Sequence, residues 1–227
     1  MSNLQNGPGN DRTLVVVNAG LSNPSSTRDI AVRVADAAVG AGAAVEIVDL
    51  RSLAGDLATF MTTMIPTPEL DRARALVSSA DALIAATPVF QGSYAGLFKM
   101  FFDTLEKHAL RGVPVSLVAT AGTPRHSMVL DYAMRPLLSF LQATVLPTGV
   151  FVATGEFGEF GEAGSDGEDG DLQERIARAG RELAAELGTG LVGGTAAPAP
   201  ASDDASGDAD TGGIGGFEAL LKAHSGS

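Results

Sequence analysis

The chain has 227 residues, 45% of them hydrophobic, which suits one domain of ordinary size with a well-filled core. It has no cysteine, so disulfides, thiolate catalysis and thiolate metal sites are excluded. Its three histidines, His108, His126 and His224, do not have the spacing of metal ligands, and we predict no metal site.

The net charge of -12 is unevenly distributed. Residues 1–154 contain 12 acidic and 11 basic residues, whereas 155–171 contain seven acids and no base, and 191–227 contain five acids and one lysine. This acidity should repel nucleic acid and favour solubility. The N-terminal segment lacks the apolar stretch of a signal peptide, and no apolar run is long enough to span a membrane. We therefore expect a soluble, cytoplasmic protein with neither nucleic acid nor membrane as a partner.

Valine-rich apolar runs alternate with helical patterns along the chain. The predicted strands are Thr13–Ala19, Val45–Leu50, Ala82–Thr87, Val113–Thr120 and Val145–Ala153. The predicted helices are Thr27–Val39, Pro68–Ser79, Tyr94–His108, Arg125–Leu141 and Leu172–Leu187. This alternation predicts an α/β fold with a parallel sheet between two helical layers. A three-layer flavodoxin-like sandwich with strand order 2-1-3-4-5 fits five strands, and it places the ligand site at the carboxyl ends of the strands.

Three segments lie outside this pattern. Residues 1–12 are polar and are predicted to be disordered, and the acidic, glycine-rich loop 155–171 is predicted to be flexible. Residues 191–227 form a low-complexity acidic tail with a short apolar end, which can contact the core or another subunit. The predicted flavodoxin-like domain is thus 13–190.

One further segment indicates a homodimer or homotetramer. Gly55–Pro68 is predicted to be an exposed loop, yet it is apolar at Phe60, Met61, Met64 and Ile65.

One predicted helix has an interruption. Pro136 lies inside the predicted helix Arg125–Leu141, where it cannot donate to the carbonyl of Tyr132. A kink or π-bulge is therefore expected near Tyr132.

The segment after the first strand is typical of a phosphate site. It leads directly into a helix, whose free N–H groups attract anions. Its side-chain donors are those of Ser22, Ser25, Ser26, Thr27 and Arg28. Neither G-x-G-x-x-G nor G-x-x-x-x-G-K-[ST] occurs here, so a monophosphate is the expected ligand. The alternative is that a serine only caps the helix.

Two more loops leave strands at the same edge of the predicted sheet. Thr87–Asp103 follows the third strand, and Ala119–His126 follows the fourth. Small residues and backbone amides beside Phe90 predict a flat apolar slot for an aromatic ring with polar edges. Thr123, as an N-cap before Pro124, is expected to direct a second helix N-terminus into this slot.

Together these three loops resemble the NADPH-dependent FMN reductase family of flavodoxin-like proteins, over about Leu14–Ala153. The resemblance is greatest to the small reductases that supply reduced FMN to two-component monooxygenases. The family's phosphate loop falls on Ser22, Ser25, Ser26, Thr27 and Arg28. Its ring-binding loop falls on Pro88, Val89, Phe90, Ser93, Tyr94 and Gly96, with Gln91 between them, and its T-x-G-T loop falls on Thr120, Gly122 and Thr123. Phe90 stands where tyrosine is frequent in the family.

The resemblance implies hydride transfer from NADPH, or from NADH, to FMN without a catalytic acid or base from the protein. It also implies a flavin-dependent monooxygenase as partner. In the two-component reductases that this chain resembles, such a helix interruption lies in an oligomer-forming helix, so Tyr132 is expected either at a subunit contact or packed in the core. Arg28 or Arg125 is a candidate for the nicotinamide nucleotide's 2′-phosphate, and His126 either approaches the flavin or is structural. Two alternatives remain open: a reductase of quinones, azo dyes or metal oxyanions that keeps its FMN, and a flavodoxin-like electron carrier.

Overall fold

The computed structural model describes residues 12–39, 43–157 and 168–189. The predicted disordered segment 1–12, apart from Arg12, and the predicted tail 191–227 lie outside them. In the described ranges no helix is both long enough and apolar enough to cross a membrane.

The described strands form one sheet. They are β1 (Thr13–Asn18), β2 (Ala44–Asp49), β3 (Ala82–Phe90), β4 (Ser93–Tyr94), β5 (Pro114–Ala121), β6 (Thr144–Val145) and β7 (Val150–Ala153). The order is β2-β1-β3-β5-β6, with β7 also pairing with β5 and β4 pairing with β3. All of these pairs are parallel except the β3–β4 hairpin. The predicted order is confirmed, because β5 is the fourth main strand and β6 and β7 together take the place of the fifth.

Helices cover both faces of the sheet. They are α1 (Ser26–Ala38), α2 (Ala54–Thr63), α3 (Pro68–Ser78), α4 (Gly96–Asp103), α5 (Arg135–Phe140), α6 (Thr154–Phe157) and α7 (Glu168–Thr189). Buried residues of α1 and α7 share one core with the sheet, and those of α2 to α5 share the other. The predicted three-layer, flavodoxin-like sandwich is confirmed.

Strand β1 illustrates why the central strands are apolar throughout. Val15 and Val17 belong to the core beneath α2 to α5, whereas Leu14 and Val16 belong to the core beneath α1 and α7. Successive side chains of a strand point to opposite faces, so a strand covered on both faces needs apolar residues at every position. The polar residues are thereby restricted to the strand ends, where the site lies.

The prediction that Gly55–Pro68 is an exposed loop was wrong. Helix α2 occupies most of it, with Leu57 fully buried and Phe60 only 7% exposed. These two side chains are one helical turn apart and pack into the core, so tertiary contacts favour the helix over the loop. Met61, Met64 and Ile65 do remain exposed beside them.

Several predicted bounds also needed correction. The predicted helix Tyr94–His108 is only α4, because Tyr94 pairs with β3. The predicted strand Val145–Ala153 is divided into β6 and β7, with Pro147 between them, since proline cannot donate to a sheet ladder. The predicted loop 155–171 begins within α6 and ends within α7, and residues 158–167 between them are not described.

The predicted interruption beside Pro136 is confirmed, although the predicted single helix Arg125–Leu141 is not. The segment consists of a 3-10 turn at Pro124–His126, a π-helical segment at Leu130–Met134 and then α5. The N–H of Arg135 donates to the carbonyl of Leu130, five residues earlier. Tyr132 is 76% exposed, so the alternative that it packs in the core was wrong.

Candidate active site

Parallel pairing brings the carboxyl ends of the strands to one edge of the sheet. Asn18, the last residue of β1, lies between Asp49 of β2 and Ala86 of β3. Farther along the same edge, Pro88 of β3 is the register partner of Thr120 of β5. The loops that follow these strands are therefore neighbours in space, although they are far apart in the sequence.

The loop between β1 and α1 is fixed by short contacts. The side-chain oxygen of Asn18, itself 1% exposed, accepts the N–H of Gly20 at 3.0 Å. A Cβ atom at Gly20 would lie 2.0 Å from Oγ of Ser25, so only glycine allows the chain to pass so close to that side chain. Ser25 Oγ in turn accepts the N–H of Arg28 at 3.3 Å and caps α1.

Unsatisfied donors surround the first turn of α1. The N–H of Asp29 donates to the Ser25 carbonyl, but the N–H groups of Ser26 and Thr27 have no acceptor among the described residues. The hydroxyls of Ser22 and Ser26 likewise make no hydrogen bond within the part of the chain that the structure describes. These donors and the helix dipole together suit a phosphate group.

An open slot of about 470 Å³ adjoins these donors. One wall comes from the β1–α1 loop and the other from the ends of β3 and β5. The lining residues are Leu21, Ser22, Ser26, Thr27, Pro88, Val89, Phe90, Thr120, Ala121, Gly122 and Thr154. Its volume lies within the usual range for a small-molecule site.

The tight hairpin between β3 and β4 positions Phe90 at this slot. Gln91 and Gly92 form the turn with φ angles of 50° and 78°, the left-handed backbone that a two-residue hairpin requires. The N–H of Ala95 donates to the buried Thr87 hydroxyl at 3.0 Å and anchors the end of the loop. As a result the Phe90 side chain, 49% exposed, is held beside the slot instead of packing into the core.

A buried hydrogen bond joins the two walls. The hydroxyls of Thr27 and Thr120 are 2.7 Å apart, and the two residues are only 3% and 6% exposed. One hydroxyl donates to the other, so these side chains fix the spacing between the first turn of α1 and the end of β5. A direct bond from either hydroxyl to a ligand stays a prediction.

The structure brings eight of the twelve predicted binding residues to the slot. Those eight are Ser22, Ser26, Thr27, Pro88, Val89, Phe90, Thr120 and Gly122. Ser25 and Arg28 line a neighbouring cleft, while Gln91 and Thr123 line neither space. Sequence reasoning missed Leu21, Ala121 and Thr154 as slot residues. The first two lie inside the predicted loops, but Thr154 follows β7 and carries no local signal.

The predicted second helix N-terminus does not form as expected. Thr123 precedes Pro124, but their segment is a three-residue 3-10 turn, and the Thr123 side chain makes no capping hydrogen bond. Arg125 and His126 are exposed and do not line the slot. This loop therefore contributes its small residues Ala121 and Gly122 rather than a helix dipole.

Comparison with known proteins identifies the family. The sequence profile described as NADPH-dependent FMN reductase matches residues 12–157, well over half of the chain. The chain belongs to this family. The expected class of enzyme, an oxidoreductase that uses FMN and NAD(P)H, is thereby confirmed.

Individual relatives agree with this assignment. Over 146 residues, 63% of this chain and 78% of the relative, the sequence is 37% identical to an FMN reductase (NADPH) from Pseudomonas aeruginosa. It is also 37% identical to the NADH-dependent FMN reductase SfnE from Pseudomonas putida, over 63% of this chain and 77% of that protein. An oxidoreductase from Corynebacterium diphtheriae superposes with a TM-score of 0.71 at 47% identity, covering 78% of this chain and 97% of that structure.

The described residues fit FMN. The unpartnered donors of Ser22, Ser26 and the first turn of α1 suit its phosphate. The close approach of Gly20 to Ser25 Oγ fixes the loop that carries these donors, and the slot beside Phe90 suits the flavin ring. In the part of the chain that is described, no group of three or more His, Asp or Glu side chains could hold a metal ion.

Proposed function

We propose that this protein is an NAD(P)H:FMN oxidoreductase that uses FMN as an exchangeable substrate and supplies the reduced flavin to a flavin-dependent monooxygenase. The family membership supports the reaction. The relatives named FMN reductase (NADPH) and NADH-dependent FMN reductase support the pair of substrates.

The observation that carries the proposal is the open slot with a phosphate site at one end. Phe90 is the aromatic residue in its lining and is 49% exposed. A flavin ring seated there is covered on one face, which leaves the other face for a nicotinamide. A slot of this kind favours hydride transfer and flavin exchange over an electron carrier, whose flavin needs to be retained.

In this proposal the residues of the chain bind and orient the flavin and exclude water from it. Ser22, Ser26 and the N–H groups of α1 hold the phosphate, and Phe90 and Val89 cover the ring. Bound FMN supplies the hydride acceptor, so no proton donor from the chain is required. Small residues at 121 and 122 allow backbone amides to approach the polar edge of the ring, where they stabilise negative charge.

The proposal is tested with the flavin-free, full-length protein. NADPH and NADH oxidation is followed without oxygen while free FMN is added. We expect a rate that rises with free FMN and saturates, with FMN consumed in many turnovers per protein. A protein that retains one FMN and oxidises NADPH only when quinone is added would contradict the proposal and favour the alternative reductase.

The same proposal includes a flavin-dependent monooxygenase as partner, a homo-oligomeric state and a cytoplasmic location. Both NADPH and NADH are proposed as hydride donors, because two relatives of equal identity are named after the two different nucleotides.

A further inference from the structure

A second space lies on the other side of the phosphate loop. It is a cleft of about 740 Å³ between the first turns of α1 and the end of β2. Arg28 projects into it from α1, and Arg51 and Ser52 reach it from the segment after β2. We call this space the arginine cleft. Sequence analysis did not single out Arg51, because only the parallel pairing of β1 with β2 brings it beside α1.

The two guanidinium groups of the arginine cleft are exposed. Among the described residues, neither Arg28 nor Arg51 makes a side-chain hydrogen bond or ion pair. By contrast Arg72 and Arg74, on the surface of α3, pair with Glu69 and Asp71 at 2.8 and 2.9 Å. The arginine cleft therefore offers ten unpaired N–H donors to a ligand.

The carboxylates of the same cleft are already engaged. Asp29 pairs with Arg33 at 3.1 Å, and the carboxylate of Asp49 accepts from the side-chain amide of Asn18 at 3.4 Å. Both carboxylates that line the cleft therefore have partners, whereas both guanidinium groups of Arg28 and Arg51 are available to an anionic ligand.

The arginine cleft and the flavin slot are neighbours. Ser22 lines both spaces, so the phosphate loop forms their common border. The cleft is also the larger of the two, at about 740 against about 470 Å³, and it suits a nucleoside phosphate better than a single ion.

We infer that the arginine cleft binds the phosphorylated adenosine of a dinucleotide. The forked donors of Arg28 and Arg51 match phosphate oxygens. Two substrates carry this chemistry: NADPH, through its 2′-phosphate, and FAD, through the adenylate joined to the flavin phosphate. The inference rests on the proposed function, because it assigns part of a substrate of the same reaction to the cleft.

Equilibrium binding to the full-length protein tests the inference without turnover, so its failure is distinct from a failure of the proposed function. The probes are adenosine 2′,5′-bisphosphate, FAD and FMN, each titrated by calorimetry into the unmodified protein and into Arg51→Ala and Arg28→Ala. Arg72→Ala is the matched control, because Arg72 is also exposed but lies on α3, away from the cleft. Both cleft side chains are exposed, so truncation leaves the core intact.

We expect Arg51→Ala to lower the affinity for one of the two adenine nucleotides by about tenfold or more, while Arg72→Ala changes neither affinity. Weaker binding of adenosine 2′,5′-bisphosphate identifies NADPH as the source, and a lower affinity for FAD relative to FMN identifies FAD. The inference is overturned if the unmodified protein binds neither adenine nucleotide through the cleft. It is equally overturned if Arg51→Ala and Arg28→Ala leave the affinities for both adenine nucleotides unchanged, or if they lower the affinity for FMN by the same factor.

Discussion

At the scale of single residues, the phosphate loop depends on the close approach of Gly20 to Ser25. Oγ of Ser25 occupies the place that a Cβ at position 20 would need, and the same oxygen caps α1. The geometry of the loop and the first turn of the helix are therefore linked through one hydroxyl. A change at Gly20 should affect both the binding of phosphate and the start of α1.

Gly20→Ala is expected to lower the affinity for FMN by about tenfold or more, because the added methyl displaces the Ser25 hydroxyl and rearranges the loop. Loss of the cap alone costs about 0.5–2 kcal/mol of stability. Fluorescence titration of FMN measures the affinity. Gly55→Ala is the control, since nothing lies within 4 Å of a Cβ at that position. Equal FMN affinity in Gly20→Ala and Gly55→Ala would contradict this view of the loop.

The sequence contains enough information to place the phosphate loop but not to assign each of its side chains. Four hydroxyls and Arg28 follow β1, and all of them reach this edge of the sheet. Which of them faces the slot depends on the direction of α1, which turns Arg28 and Ser25 towards β2. The direction of α1 is set by its packing against the rest of the fold. The local sequence therefore does not show which side chains line the flavin slot and which line the arginine cleft.

At the scale of elements, the contact between α1 and α7 holds one helical layer together. A Cβ at Gly180 of α7 would lie 2.4 Å from Cβ of Ala37 and 2.9 Å from its carbonyl carbon. The helices therefore approach each other closely because residue 180 has no side chain. Since α1 also carries the phosphate-binding turn, this contact supports the site from behind.

Gly180→Ala is expected to destabilise the fold, because overpacking typically costs about 1–3 kcal/mol and the helix propensity of alanine returns at most about 1 kcal/mol. Gly188→Ala, in the same helix but with nothing within 4 Å of its Cβ, should be neutral or stabilising. Urea unfolding compares the two variants with the unmodified protein. An equal free energy of unfolding for Gly180→Ala and Gly188→Ala would show that α1 and α7 can move apart without a loss of stability.

Elements with a strong local signal were predictable, and those that depend on tertiary packing were not. Pro136 has no N–H for the carbonyl of Tyr132, and the π-helical segment was predicted from this single fact. Helix α2 was missed because its apolar face is short, and it becomes clear only when Leu57 and Phe60 meet the core. The end of β2 carried no recognisable motif, so Arg51 became a candidate only through the sheet.

At the scale of the whole molecule, several large apolar side chains of the described residues remain on the surface outside the flavin slot. Met64 and Ile65, at the end of α2, are 66% and 69% exposed, and Tyr132 and Phe140, around α5, are 76% and 69% exposed. Exposed apolar groups of this size are typical of contacts between proteins. They support the predicted homo-oligomer.

We predict a homodimer or homotetramer with its flavin sites near the subunit contacts. Light scattering at micromolar concentration measures the mass, and Ile65→Asp with Tyr132→Asp should shift it towards the monomer because burial of a carboxylate is costly. A monomer that is fully active at that concentration would rule the oligomer out.

The tail is predicted to be dispensable for hydride transfer. Its composition of glycine, alanine, proline, serine and aspartate buries too little apolar surface to fold by itself. A protein truncated after Leu191 should therefore keep most of its NADPH oxidation with FMN in a steady-state assay. A truncated protein that folds but loses about tenfold or more of this activity would place the tail in the active site.

The loop between β1 and α1 is proposed to recognise the phosphate of FMN. FMN and riboflavin differ only by that phosphate, so both are titrated into the flavin-free protein. We predict that FMN binds much more tightly, and that Ser22→Ala combined with Ser26→Ala removes charge-assisted hydrogen bonds of about 1.5–3 kcal/mol each while riboflavin binding stays unchanged. Equal affinities of the unmodified protein for FMN and riboflavin would contradict the claim.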